Sequence, residues 1–233
     1  METYHKIQTL FKRHLDGPKK GKMIRGQWTS PELEYLSKLI WEFTEKVDGT
    51  NIRVHLFLSE GGNVLVAFAG RSDNAQIPKP LLEYLEYQFP KGDDRISNWM
   101  IENNLQAVTL YGEGYGPKIQ GGGRYRDDQS FVLFDVKIGD FWLDRENVDD
   151  IAKKIGIDSV PVIGHGTLEE AIDIVSTGLT FGKGGNVVRW GRGGLKSQWG
   201  EFEAEGIVAR PVIPLFNRKG ERIITKVKAV DFR

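Results

Sequence analysis

Apolar and polar positions along the chain alternate with period two more often than they recur with period 3.6. Residues 41–58 alternate and are rich in β-branched side chains, with a turn signal at Asp48 and Gly49, which predicts strand, tight turn, and a second strand or helix start. Gly61 and Gly62 form a hairpin turn into a strand over 63–70. Residues 106–111 read as a strand that ends in a glycine-rich loop. Residues 130–138 and 141–143 read as a hairpin through Gly139 and Asp140, and 207–211 and 222–230 as the last strands.

Helices are fewer. Ser30 before Pro31 is a helix start, a capping side chain followed by a ring preset at helical φ, with Leu33, Leu36 and Ile40 as its apolar face. Residues 80–89 and 95–103 carry helical periodicity. Residues 147–155 form a helix stopped by Gly156, and Thr167 with Glu170 is a capping box for a helix ending at Gly178. The pattern predicts an α+β fold with antiparallel sheets flanked by helices rather than a doubly wound parallel one. No linker composition interrupts it, so a single domain over 1–233 is expected.

Composition narrows the class without deciding it. The chain has 233 residues, 39% of them hydrophobic, enough for a sizeable core. No run approaches the ~18 apolar residues of a membrane helix, and the N-terminus lacks a signal-peptide core, so a cytoplasmic, non-membrane protein is expected. With no cysteine, disulfides, thiolate catalysis and Cys-type zinc sites are excluded. His5, His14, His55 and His165 show no metal-ligand spacing. The 32 basic and 32 acidic residues balance, so any nucleic-acid surface has to arise from local clustering. One such cluster is the glycine-rich stretch 178–200 with Lys183, Arg189, Arg192 and Lys196, which reads as a mobile basic loop. Within it Trp190, between arginines, is either a base-stacking platform or a packed core residue.

The sharpest chemical signal is Glu45-Lys46-Val47-Asp48-Gly49-Thr50-Asn51, a lysine at the end of an apolar strand next to a turn. Four further features follow in order: Arg71 after Gly70, Glu113 in Tyr111-Gly112-Glu113-Gly114, Phe134 beside Asp135, and Glu205 before an apolar strand. Last come Lys226 and Lys228, whose spacing of two puts both cations on one strand face. Each alone has a bland reading as surface charge or core packing.

Taken in order, these segments resemble the covalent nucleotidyltransferases: ATP- and NAD-dependent DNA ligases, RNA ligases and mRNA capping enzymes. The resemblance runs from Lys46 to Lys228. The Gly49-Thr50-Asn51 ending and the run Tyr111 to Pro117 resemble the RNA ligases that seal double-stranded or bridged RNA ends. Asp48 departs from that pattern, since many of those enzymes have His there and DNA ligases and capping enzymes have Asp. A minimal DNA ligase, a capping guanylyltransferase and a non-catalytic nucleic-acid-binding relative are the alternatives.

The resemblance implies that Lys46 is the nucleophile that takes AMP from ATP. A lysine must lose a proton to attack, from an ordinary pKa of ~10.4, and nearby cations favour the neutral amine. Lys226 and Lys228 would supply that field and neutralise phosphate charge. By resemblance, Glu45, Asn51, Arg71 and Glu113 would contact the nucleotide, Phe134 would stack on adenine, and Glu205 would bind Mg²⁺ or Mn²⁺. RNA ends, with DNA as the alternative, are the expected partners, and a monomer is expected. The ligases and capping enzymes of this superfamily usually carry a further C-terminal domain; the chain ends soon after Lys228, so no appended domain is expected.

Overall fold

A computed structural model describes residues 2–181, 187–189 and 194–233. In chain order the strands are β1 (Gln8–Thr9), β2 (Phe11–Arg13), β3 (Met23–Trp28), β4 (Trp41–Glu45), β5 (Thr50–Leu58), β6 (Val64–Ala69), β7 (Ala107–Tyr115), β8 (Ser130–Ile138), β9 (Phe141–Trp142), β10 (Asp158–Ser159), β11 (Val162–Gly166), β12 (Leu179–Phe181), β13 (Val187–Arg189), β14 (Gly206–Pro211) and β15 (Thr225–Lys228). The helices are α1 (Pro31–Tyr35), α2 (Lys79–Gln88), α3 (Asp94–Glu102), α4 (Arg145–Ile155) and α5 (Leu168–Thr177). The chain forms two compact units. Unit 1 holds the residues up to Tyr4 and Asp48–Val160; unit 2 holds His5–Val47 and Pro161–Arg233.

Unit 1 is built on a six-stranded sheet in the order β10-β8-β7-β5-β6, with β9 paired to β8. All its pairings are antiparallel except β10 with β8. Alternate residues of β5 and β7, Ile52, Val54, Leu56, Val108 and Leu110, are fully buried. They join Leu81 and Leu85 of α2, Ile96 and Met100 of α3, and Val148 and Ile155 of α4 in one apolar core. Each such side chain contributes roughly 1.5–3 kcal/mol by leaving water. The intervening residues Asn51, Arg53, Tyr111 and Glu113 therefore occupy the opposite sheet face. In α4 the Asp144 side chain accepts from the Asn147 N–H, and Gly156 closes the helix at φ 67°. That is the left-handed cap that glycine adopts without strain.

Unit 2 carries a five-stranded sheet in the order β1-β15-β14-β4-β11, and two-stranded pairs β2-β3 and β12-β13. Trp41 and Phe43 of β4, Ile207 and Ala209 of β14 and Val227 of β15 pack with Leu168, Ala171, Ile172 and Val175 of α5. Both halves of the Thr167–Glu170 capping box form at the start of α5. Glu42, Thr44, Val208, Arg210, Lys226 and Lys228 alternate with those core residues and fall on the other face.

The α+β class and most long elements match the sequence pattern, with three departures. The strand at 106–111 continues to Tyr115, so Glu113 sits inside a strand and not in a loop. A Cβ on Gly112 would meet the Phe131 ring at 2.2 Å, and one on Gly114 would meet Leu81 at 2.5 Å. These glycines mark close packing rather than a turn. Helix α1 stops at Tyr35, and Ile40, expected on its apolar face, is 56% exposed. The last strand is only Thr225–Lys228, followed by a 3₁₀ turn over Ala229–Phe232. Much of the basic stretch 178–200, including Lys183, Trp190 and Arg192, lies outside the described residues.

Candidate active site

Three adjacent strands of unit 2 bring the sequence-singled charges together. β4 pairs with β14, placing Glu45 opposite Ile207, and β14 pairs with β15, placing Gly206 opposite Lys228 and Val208 opposite Lys226. The backbone carries the alignment past the strand ends. The Lys46 N–H donates to the Gly206 carbonyl at 3.0 Å, and the Ala229 N–H donates to the Glu205 carbonyl at 2.9 Å. Gly206 has φ 149°, and a Cβ there would lie 2.0 Å from the Val227 carbonyl. No other residue fits at this first position of β14, next to Glu205.

The side chains form a cation–carboxylate–cation row. Lys46 Nζ lies 2.6 Å from Glu205 Oε2, and Lys228 Nζ lies 2.7 Å from Glu205 Oε1. The Lys46, Glu205 and Lys228 side chains are 21%, 14% and 30% exposed, so all three are accessible from solvent. Lys226 shares the β15 face of Lys228. The Lys46 ammonium is engaged by its ion pair with Glu205. Glu205 thus stands between Lys46 and Lys228.

Glu45, on the opposite side of β4 from Lys46, is 1% exposed. Burial pushes its carboxyl above the usual range, partly offset by hydrogen bonds from Ser197 and from the Gln198 N–H, the latter at 2.7 Å. Its other oxygen, Oε1, is buried with no hydrogen-bond partner among the described residues.

Unit 1 holds the remaining candidates. Asn51 and Glu113 are register partners on β5 and β7. Asn51 Oδ1 is buried without a partner among the described residues, an acceptor whose need a ligand donor could meet. Phe134 is the extra residue of a β-bulge: Tyr111 pairs with Asp135 and the next residue, Gly112, with Leu133, so the register steps over Phe134. A bulge re-aims its side chain relative to the regular pleat. Arg145 Nη2 donates to the Phe134 carbonyl at 2.8 Å.

Arg71 is exposed in the bend after β6. Sequence reasoning missed the residue that places it. Arg53 is fully buried, donates from Nε to the Gly70 carbonyl at 2.8 Å and pairs through Nη2 with Asp73 at 2.8 Å. The guanidinium beside Asp73 holds that carboxyl below its usual range. The available signal was parity, since Arg53 shares a strand face with Asn51.

Asp48, the departure from the RNA-ligase pattern, has a local partner set. Its carboxylate accepts from the Gly121 N–H at 3.1 Å and lies 3.5 Å from Arg124, and its own N–H donates to the Tyr125 hydroxyl at 3.1 Å. Gly121 permits this, since a Cβ there would lie 2.3 Å from Asp48 Oδ2.

Among the described residues no cluster of three or more acidic or histidine side chains could hold a metal by itself. The accessible Glu205 carboxylate fits the pattern of a hard cation held by one carboxylate plus phosphate oxygens of a substrate. No described helix is long and apolar enough to cross a membrane.

The family model for RNA ligase matches residues 39–228, so the chain belongs to the RNA ligase family. No curated protein matches the sequence. Among solved structures, a Naegleria gruberi RNA ligase point mutant with ATP and Mn is similar with TM-score 0.57 and 14% identity, over 99% of this chain and 63% of that one. The same ligase with PPi gives 0.56 and 16%, over 97% and 61%. An apo mutant gives 0.54 and 16%, over 87% and 53%. These likenesses establish a shared fold, and the chain spans only about half to six-tenths of the length of those proteins.

Proposed function

We propose that the chain is an ATP-dependent RNA ligase that carries AMP on Lys46, transfers it to a 5′-phosphate end and seals that end to a 3′-hydroxyl. The observation that carries this reading is the row Lys46–Glu205–Lys228, with contacts of 2.6 and 2.7 Å across three neighbouring strands. It joins residues far apart in sequence, and a surface lysine has no reason to be so placed.

In the first step the Lys46 amine, freed from Glu205 and deprotonated, attacks the α-phosphorus of ATP. An N–P bond forms and the bond to pyrophosphate breaks. Lys228 and Lys226, on one face of β15, offset the charge gathering on the phosphoryl oxygens. Phe134 stacks on the base, and Asn51, Glu113 and Arg71 take up ribose and phosphate groups. Glu45 contributes from beneath Lys46 by fixing the 197–198 turn against β4. A divalent cation held by Glu205 and the phosphates, Mg²⁺ or Mn²⁺, supplies further charge neutralisation when bound. A 5′-phosphate oxygen then displaces Lys46 from AMP, and a 3′-oxygen finally displaces AMP from the activated end. Each step is in-line displacement at phosphorus, so one set of cations serves all three.

The test is incubation with α-labelled ATP and Mg²⁺ followed by denaturing electrophoresis, for the native sequence and Lys46→Ala. Label that persists on the first and is absent from the second is expected. Sealing of nicked RNA against nicked DNA then decides the substrate. Native protein that takes label from neither ATP, GTP nor NAD sinks the covalent mechanism.

A further inference from the structure

We propose that Tyr4 is a positioning residue for the nucleotide base, holding the Phe134 ring in the orientation that receives adenine; this rests on the reading that Phe134 stacks on the base. Phe134 is half-buried and sits at the bulge of β8, where its side chain leaves the regular pleat. Arg145 anchors its carbonyl, which leaves the aim of the ring to side-chain contacts. Tyr4 makes one of these, with ring centroids 5.1 Å apart and planes at 67°. That edge-to-face geometry is the favourable one for two aromatic quadrupoles.

Tyr4 is itself fixed from several sides. It is 8% exposed although it lies near the start of the chain. Its hydroxyl donates to Asp135 Oδ2 at 2.5 Å, and Asp135 is 1% exposed. Its ring meets Tyr111 at 5.3 Å and Trp142 at 5.7 Å, the latter edge-on. Alongside, Glu2 is tied down: its carbonyl accepts from Arg53 Nη1 and from the Tyr111 hydroxyl, each at 3.2 Å, and its carboxylate pairs with Lys137. Residues 2–4 are thus bound to the same sheet face that bears Asn51 and Glu113. Since Tyr4 contacts the residue next to Phe134 as well as Phe134 itself, it couples the hydrogen bond at Asp135 to the aim of the neighbouring ring.

A base-positioning role differs from general support in which part of ATP it affects. The experiment measures binding of ATP and of inorganic tripolyphosphate, which has no base, to the full chain by calorimetry, for the native sequence, Tyr4→Phe and Tyr4→Ala. Adduct formation is followed in parallel. For Tyr4→Ala, ATP affinity is expected to fall about 3- to 10-fold, the factor one edge-to-face pair is worth, with tripolyphosphate unchanged. Tyr4→Phe keeps the ring and is expected to lie between. Unchanged ATP affinity, an equal loss for both ligands, or a gain in ATP affinity (Tyr4 occupying the place of the base) would each overturn the proposal. Native protein that binds ATP base-selectively through Tyr4 yet forms no adduct would keep this inference and remove the ligase reading. Native protein that binds no ATP would remove both.

Discussion

In unit 2 the candidate reactive groups are placed by charge: Lys46, Glu205 and Lys228 hold one another across strand ends and stay accessible. In unit 1 they are placed by contact: Gly112 and Gly114 let strands and α2 close in, and a bulge and a buried tyrosine aim Phe134. The difference predicts how each half fails. Accessible ion pairs contribute little to stability, so their loss should cost chemistry and spare the fold. Close-packed glycines and aromatics contribute to the core, so their loss should cost stability first and activity as a consequence.

The strongest test replaces Glu205 by Ala. Lys46-adduct formation is expected to drop by ~10²–10³-fold, the usual cost of removing one preorganised charged group, while unfolding in urea shifts by under about 1 kcal/mol. Unfolding at low denaturant would break the contrast by making Glu205 structural. The matching change in unit 1 is Gly112→Ala. Its Cβ would lie 2.2 Å from the Phe131 ring and 2.5 Å from the Val132 carbonyl. Overpacking of this kind costs ~1–3 kcal/mol, and here the upper end is expected because a carbonyl cannot rotate away. Adduct formation by the fraction that remains folded should stay near native.

Asp48→Ala asks how far unit 1 depends on one polar contact. The Gly121 N–H loses its acceptor and Arg124 its ion pair with Asp48, a cost of ~1–2 kcal/mol for this half-buried site. The readout is faster amide hydrogen exchange over residues 117–125 with exchange in α4 unchanged. Uniform acceleration throughout unit 1 would show that Asp48 supports the whole sheet.

The same contrast governs what could be read from the sequence. Lys226 and Lys228 were legible because period-two alternation fixes a strand face from residue order alone. The capping box at Thr167 and the stop at Gly156 were legible because both are local hydrogen-bond patterns. Glu113 reads as a loop residue because Gly112 and Gly114 normally signal turns, and only the proximity of Phe131 and Leu81 reveals a strand. Tyr4 was invisible, since its partner Asp135 is 131 positions away. Arg53 resembled an ordinary solvent-facing strand residue. The strands β1, β2, β10, β12 and β13 have two or three residues each, too few to establish a period. What the sequence could not supply is long-range contact, and both units depend on it: Tyr4 meets Asp135 in unit 1, and Lys46 meets Glu205, 159 positions away, in unit 2.

The smallest expected effect concerns Glu45, where charge and burial meet. Burial raises its folded-state pKa above the unfolded value, and the hydrogen bonds from Ser197 and Gln198 only partly oppose this. Between those two values the folded chain binds more protons than the unfolded one, so native stability falls as pH rises through that window. Glu45→Gln keeps an acceptor for the Gln198 N–H but cannot ionise. Thermal unfolding from acid to neutral pH should therefore show the variant gaining on the native chain as pH increases. A difference that runs the other way would mean that the hydrogen bonds to the carboxylate outweigh its burial. Glu45 would then belong with Glu205 among the residues placed by charge, although it faces the core.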